Sequence, residues 1–334
     1  MVRIIDVAKR ANVSTATVSR VLSSPHTVRE ETMGRVLEAI KDLDYHPNIL
    51  ARQLRTLETK TVIVVVPDIS NPFFSKVLRG IEYVAAANGY QVLLKDTTND
   101  LELESGYVDL LRQKKADGMI FLTVMNSELV NIVENQYPVV LACEYIEGSN
   151  IPTVSIDNIS AARKATEYLI QLGHRQIACI SGPTASVLGQ DRLKGYYQAL
   201  SQYNVTVDPV LIQEGDFTYE SGFNVMNKLL ALNQLPTGVF AANDEMALGA
   251  IKAIKSKHFR VPADISVIGF DNIKFSTIVE PELTTIAQPA FEIGNKAMDL
   301  LIKLMKNKKI IRSQFILDDK LIIRNSCVKR SDKM

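Results

Sequence analysis

Histidine, cysteine and long apolar runs are all scarce in this chain, and each shortage closes off a class of function. The four histidines, His26, His46, His174 and His258, are scattered, and no metal-ligand spacing joins them to cysteines or carboxylates. His174 follows Gly173 at what reads as a helix-ending turn, where a polar residue suits the terminal carbonyls. The cysteines, Cys143, Cys179 and Cys327, are isolated and odd in number, which fits reduced thiols in a cytoplasm rather than a disulfide framework. Cys143 precedes Glu144 but has no histidine beside it, so burial as a small hydrophobe is its expected role. No apolar run approaches the ~18 residues of a membrane-spanning helix. Asp6 and Lys9-Arg10 stand where an export signal would be apolar, so a cytoplasmic, nucleoid-associated protein without a membrane partner is expected. The phosphate-cradling motifs G-x-G-x-x-G and G-x-x-x-x-G-K-[ST] and the nucleophile elbow G-x-S-x-G are absent too. These shortages argue for binding over catalysis, with neither metal nor cofactor.

What remains is a 334-residue chain with 46% hydrophobic and 22% charged residues, the balance of a globular protein with room for a small domain and a large one. The net charge of +1 hides an asymmetry. Five basic residues face one acidic residue within Met1–Arg29, a locally basic head that favours a nucleic-acid partner.

Ile4 to Leu22 reads as two short helices joined at Asn12-Val13-Ser14, with Ser14 as N-cap of the second. Ile5, Val7, Ala8 and Ala11, then Val18, Val21 and Leu22, take the inward positions. Thr15, Ala16, Thr17, Ser19 and Arg20 are left outside. Small hydroxyls with one arginine pack poorly but suit a major groove, bonding phosphates and reading a guanine edge; the alternative is an ordinary surface helix. Thr27-x-x-Glu30 has capping-box spacing and is expected to open a third helix, with Met33, Val36, Leu37, Ile40 and Leu43 as its apolar stripe. Residues 1–46 thus read as a small three-helix head. Pro47 stops the third helix, and Asn48 to Arg55 is a helix-capable octamer too short to be stable alone. Within this hinge and linker, residues 47–59, Leu54 flanked by Arg52 and Arg55 suits a minor-groove wedge with phosphate contacts on either side, and Asn48 is a further candidate DNA contact; a plain linker is the alternative.

From Lys60 the pattern alternates strand and helix. Thr61–Asp68 is β-branched almost throughout, as a strand buried on both faces requires. Asn71-Pro72 opens a helix that Gly89 ends. Strand signals recur at Val92–Leu94, Met119–Leu122 and Val139–Ala142, and a second series runs through Thr153–Ile156, Ile177–Ser181, Val210–Gln213, Val239–Ala242 and Ile265–Phe270. Two α/β units with open parallel sheets follow, and such sheets bind ligands beyond the carboxyl ends of their strands. That rule nominates Phe73, Phe74 and Phe217 as flat apolar faces, and Arg192, Asn243 and Asp271 as directional hydrogen-bonding groups. Asp157 is nominated as well, though it serves equally as a helix cap. Asp244 reads as a helix N-cap before Glu245. The mixture suits a ring bearing hydroxyls, a nucleoside or a sugar.

At this point the chain resembles the LacI/GalR family of bacterial transcription regulators from about Ile4 to Asn325. The likeness rests on DVAKRANVSTATVSRVL, YHPNILARQLRT, PDISNPFFSKVLRGIE, AANDEMALGAIKAI, VIGFDN and PELTTIAQP. The resemblance implies an α/β fold with a three-helix helix-turn-helix head and a two-lobed body like the type I periplasmic binding proteins. Its lobes would span about residues 60–158 and 159–288 within a 60–334 ligand-binding and dimerisation domain, the C-terminal segment crossing between them. It further implies a homodimer that represses transcription from a double-stranded operator under control of a small effector, with a nucleoside such as cytidine first and a sugar or purine as alternatives. By position, Thr15, Ala16 and Arg20 match the family's base readers and Leu54 its minor-groove leucine. Phe73, Phe74, Arg192, Phe217, Asn243 and Asp271 match its effector contacts. The branch that the body resembles most has an atypical hinge and acts with a cyclic-AMP-bound activator protein. ILARQLRT is instead the ordinary family hinge, which puts that partner in doubt. A nucleoside- or sugar-processing enzyme with a DNA-binding head is the remote alternative.

Overall fold

The computed structural model describes residues 2–46, 58–98, 100–123, 136–308, 310 and 312–330. The expectations for Asn48, Arg52, Leu54 and Arg55 therefore lie outside the described residues. The chain divides into two compact units, Met1–Thr59 and Lys60–Met334.

In the first unit, α1 (Ile4–Ala11), α2 (Thr15–Ser23) and α3 (Glu30–Asp42) enclose a small core. Val7, Ala8, Ala11, Val18, Val21, Val36, Ala39 and Tyr45 fill it. Asn12 turns the chain with a left-handed φ of 52°, a conformation that asparagine tolerates better than most residues. Ser14 then caps α2 by accepting the Thr17 amide at 3.1 Å. The inward faces are narrower than the apolar spacing suggests, since Ile5, Leu22 and Leu37 are exposed. The expected Thr27 capping box does not form. Thr27 ends a 3₁₀ turn, Pro25–Thr27, and its hydroxyl donates to the Ser24 carbonyl at 2.7 Å. Arg29 sits at the N-cap of α3 without a side-chain cap.

The second unit holds two six-stranded sheets. Lobe 1 comprises β1 (Thr61–Val66), β2 (Gln91–Asp96), β3 (Gly118–Phe121), β4 (Val139–Ala142), β5 (Thr153–Ile156) and β11 (Gln314–Leu317), in the order β11-β5-β4-β3-β1-β2. Lobe 2 comprises β6 (Ile177–Ser181), β7 (Ile212–Glu214), β8 (Gly238–Ala241), β9 (Ser266–Asp271), β10 (Thr284–Ala287) and β12 (Lys320–Ile322), in the order β12-β10-β9-β8-β6-β7. Every pairing is parallel except that of β10 with β12. Continuous burial along β3, β4, β6, β8 and β9 fits helices on both faces. Thr153–Ile156 pairs with β4 and β11 and so belongs to the first sheet rather than opening the second. Val210 falls in a 3₁₀ turn, Pro209–Leu211, and β7 starts only at Ile212, because Asp208 caps that turn through the Val210 amide.

The helices that matter for the site are α4 (Pro72–Ala87), α6 (Asn158–Gln171), α7 (Val187–Gln202), α8 (Tyr219–Leu229), α9 (Asp244–Ser256) and α10 (Ala290–Met305), with α5 (Leu101–Arg112) beside them in lobe 1. The chain passes from β5 to α6, from β10 to α10 and from β11 to β12, so three strands of backbone link the lobes. A tail then packs on lobe 2. Ser326 Oγ donates to Val267 O and accepts the Thr284 amide, and Arg330 N–H reaches Leu172 O. His174 ends α6 as its sequence suggests, its amide donating to Leu169 O at 3.2 Å just after Gly173 (φ 92°), and its ring joins this anchorage. It is buried, with its ring nitrogens 3.1 Å from Thr237 Oγ1 and 3.2 Å from Val328 O.

α4 and α10 approach closely at paired glycines. A Cβ on Gly80 would run into the Phe291 carbonyl, and one on Gly294 into the Val77 carbonyl. Gly294→Ala should therefore destabilise the body by about 1–3 kcal/mol, since a rigid backbone must move to admit the methyl group. Gly34 sits inside α3 with nothing within 4 Å of its Cβ position, and Gly34→Ala should stabilise the head by about 0.5–1 kcal/mol. Urea denaturation of the two variants would read these opposite signs.

Candidate functional site

On the head, Thr15, Ala16 and Arg20 lie exposed on α2, with Thr17 and Ser19 half-buried beside them. Thr17 Oγ1 is 2.9 Å from Ser14 Oγ, so part of its hydrogen-bonding capacity is spent on the cap. Thr15, Ala16 and Arg20 form the outward surface of the helix, a small, flat face with one long cation. Such a face fits a major groove sterically and presents a guanidinium to base edges or phosphates.

On the body, a cavity of about 310 Å³ opens between the two lobes at the carboxyl ends of their strands. Its described walls bring together Phe73, Phe74, Arg192, Phe217, Asn243 and Asp271. Asn71 caps α4 by accepting the Phe73 amide at 3.0 Å, with Pro72 at the first helical position. This cap presents two phenyl rings packed edge to face, 5.3 Å between centroids, to the space beyond β1. Phe217 enters from lobe 2 with a left-handed φ of 69°. Gly182 leaves room for its ring, which a Cβ at that position would strike.

Arg192 is the polar centre. It is 4% exposed, and its Nε donates to Asn158 Oδ1 at 3.0 Å while Nη1 donates to the Ala242 carbonyl. Its guanidinium carbon lies 3.8 Å from the centre of the Phe270 ring, an arrangement that rewards a desolvated cation. Asp271 Oδ1 stands 3.7 Å from Arg192 Nη1, an ion pair rather than a hydrogen bond, and accepts Gln288 Nε2 at 2.7 Å. None of these bonds uses Asp271 Oδ2 or Arg192 Nη2. Burial pushes the Asp271 carboxyl up to about 6, against the pull of Arg192, Gln288 and Lys76 toward the ionised form. An acceptor and a donor at this spacing can bind vicinal hydroxyls, the hydroxyl donating to the carboxylate and accepting from the guanidinium.

Two nominated residues have fixed local duties. Asn243 lines the cavity but also caps α9, its Oδ1 accepting the Met246 amide and its Nδ2 donating to the Phe217 carbonyl. Asn243 thus steadies the Phe217 turn. Asp157 is not among the described lining residues. Its Oδ1 accepts the Ser160 amide at 2.9 Å, which matches the capping alternative. Asp244 is not the N-cap that its sequence suggests. It occupies the first position of α9, fully buried, accepting the Thr285 hydroxyl at 2.6 Å and the Ile273 amide at 2.9 Å. Burial and the nearby Asp271 charge raise its pKa well above the carboxylate range.

Thr123, Glu144 and Gln288 also line the cavity; the sequence nominates none of them, although Gln288 lies within PELTTIAQP. Thr123 and Glu144 follow β3 and β4, so the carboxyl-end rule applied strictly to those strands would have found them. Thr123 Oγ1 donates to Glu144 Oε2 at 3.2 Å. Cys143 is buried, as a small hydrophobe should be, and its thiol is pushed upward by desolvation and the Glu144 charge. Among the described residues no group of His, Cys, Asp and Glu could hold a metal ion, and no helix is long and apolar enough to cross a membrane.

A helix-turn-helix unit and a two-lobed α/β unit enclosing a largely apolar cavity with a buried charged pair, on one chain, define a ligand-binding regulator. Residues 59–324 match the model of the periplasmic binding proteins and sugar binding domain of the LacI family, and residues 3–48 that of bacterial regulatory proteins of the lacI family. The chain is 44% identical over 323 residues to the HTH-type transcriptional repressor CytR of Escherichia coli (strain K12), covering 96% of this chain and 95% of that protein. It is 40% identical to catabolite control protein A of Priestia megaterium, over 94% and 96% of the two chains. The lac repressor dimer bound to operator and the anti-inducer ONPF superposes with a TM-score of 0.88 at 30% identity, covering 98% of this chain and 99% of that one. The chain belongs to the LacI family of DNA-binding transcriptional repressors.

Proposed function

We propose that this protein is a homodimeric repressor whose operator affinity is set by a nucleoside, with cytidine the first choice, bound between the lobes of the body. The observation that carries the reading is the buried Arg192–Asp271 pair, 3.7 Å apart, in a cavity also walled by Phe73, Phe74 and Phe217. Phenyl faces receive a planar base through stacking, and the charged pair receives ribose hydroxyls. A sugar is the second reading. The sugar-binding description of the family model and the likeness to the CelR–cellobiose complex, with a TM-score of 0.75 at 30% identity, favour it.

In this account two heads, one from each protomer, read the half-sites of an operator through Thr15, Ala16, Thr17, Ser19 and Arg20. The 47–59 segments join heads to bodies, with Leu54 entering the minor groove, Arg52 and Arg55 holding phosphates and Asn48 as a further DNA contact. Exposed apolar side chains on lobe 1, Ile69, Tyr83 and Leu93, suit burial against a second copy. The ordinary ILARQLRT hinge lets the dimer bind without a cyclic-AMP-bound activator. Ligand controls DNA binding only through its different affinities for the two states of the body.

Thermal-shift titration against nucleosides, purines and pentoses tests the effector. At a hundredfold excess over Kd, a ligand of the native state adds about 2.7 kcal/mol. Stabilisation by cytidine but not by free ribose or cellobiose is the expected result. Stabilisation by sugars alone would overturn the nucleoside reading in favour of the second.

A further inference from the structure

Each member of the Arg192–Asp271 pair has a chain neighbour that touches the opposite lobe. Asn272 follows Asp271, and its carbonyl accepts a hydrogen bond from Nζ of Lys76, on α4 of lobe 1, at 2.7 Å. Asp191 precedes Arg192, and its Oδ2 accepts the hydroxyl of Tyr145, just beyond β4 of lobe 1, at 3.0 Å. Both contacts join residues carried by different sheets, and both are partly buried.

The lobe 2 side of each contact is held firmly. Asp271 and Asn272 adopt successive left-handed conformations, with φ of 115° and 54°, which non-glycine residues keep only where their surroundings dictate them. Arg324 Nη2 and Ser276 Oγ both donate to Asn272 Oδ1, at 2.7 and 3.2 Å. The carbonyl offered to Lys76 is therefore a fixed acceptor, not a loop group that would follow the lysine. The Lys76 charge also favours the ionised form of Asp271, the form that accepts from a ligand hydroxyl. On the other contact, Asp191 rides on α7, the same rigid helix that carries Arg192.

A ligand moves a conformational equilibrium only through interactions that differ between the two states. Contacts that bridge the lobes are made when the lobes are together and lost when they part. We infer that Lys76 and Tyr145 are positioning residues that couple closure of the lobes to engagement of the Arg192–Asp271 pair. The inference rests on the cavity being the effector site. An effector held by that pair fixes the two backbone segments that present Asn272 and Asp191, and so favours both bridges at once. Conversely, losing either bridge loosens the other and weakens effector binding.

The test uses the full chain with Lys76→Met, Tyr145→Phe and, as the conservative control, Lys76→Arg. Hydrogen exchange is followed without ligand in peptides covering 143–148 and 270–276, and cytidine affinity is measured by calorimetry. Each bridge is a single net hydrogen bond, so its loss should raise the Kd for cytidine roughly two- to tenfold. Lys76→Met should speed exchange around Tyr145 as well as around Asn272, Tyr145→Phe should speed it around Asn272 as well as around residue 145, and Lys76→Arg should behave like the unsubstituted chain. Faster exchange confined to the substituted contact, or unchanged cytidine affinity in a chain that binds it, would overturn the coupling. If cytidine does not bind the unsubstituted chain, the nucleoside reading fails, and exchange at the distant contact still decides the coupling.

Discussion

Replacing Asp271 by asparagine should abolish the effector response, leave operator affinity within about twofold of the unsubstituted protein and raise the stability of the ligand-free chain at pH 8. The three outcomes share one cause. Asp271 Oδ1 accepts Gln288 Nε2, a bond that the amide oxygen of asparagine keeps. The substitution removes the negative charge, and with it the ion pair to Arg192, and puts an NH2 donor where the second carboxylate oxygen would accept from ligand. That charge is costly: burial lifts the carboxyl from 3.8 to about 6 in the folded protein, despite Arg192 and Lys76. The native state therefore favours the protonated form. The penalty is absent below the unfolded pKa, grows as pH rises from about 4 to 6 and is fully present above that. Asparagine never incurs it, so the melting temperature of the variant should exceed that of the unsubstituted chain at pH 8 and converge with it near pH 4. Effector affinity runs the opposite way. In the unsubstituted protein it should hold above pH 6 and fall by up to about tenfold per unit below, as the acceptor is protonated. A response retained by Asp271→Asn would remove Asp271 from the effector site.

The second large effect is at Arg20. It is exposed on α2, on the same face as Thr15 and Ala16. If its guanidinium reads a guanine edge, Arg20→Ala should cost about 1–3 kcal/mol on the matched operator and erase the preference at one base pair. On operators already changed at that pair the cost should be small. A phosphate contact would instead weaken binding to every sequence alike and flatten the salt dependence by about one counterion. Titration of single-base operator variants, all at one salt concentration, distinguishes the two.

Much of the frame was legible because its signals are local. Ser14 before Thr15-Ala16-Thr17 and Asn71-Pro72 before the phenylalanines are caps that need no tertiary help, and both form as read. The β-branched run Thr61–Val66 could be nothing but a doubly covered strand. The errors arise where distant residues decide. Thr27 has the right spacing for a capping box, but Pro25 turns the chain into a 3₁₀ segment first. Asp244 looked like a cap until Thr285 and Ile273, some thirty to forty residues away in sequence, claimed its carboxylate. Strands β10, β11 and β12 are short, and the two edge strands lack the unbroken apolar run that marked the others. With β10 unread, Gln288, which follows it into the cavity, had no strand end to reveal it.

The most direct measurement is operator affinity with and without cytidine at one fixed salt concentration, on the unsubstituted protein and on Asp271→Asn. An allosteric coupling of the usual size shifts affinity about 5- to 150-fold. The account predicts a shift in that range for the unsubstituted protein and none for the variant. Identical operator affinities with and without cytidine, in a protein whose melting temperature cytidine raises, would contradict it.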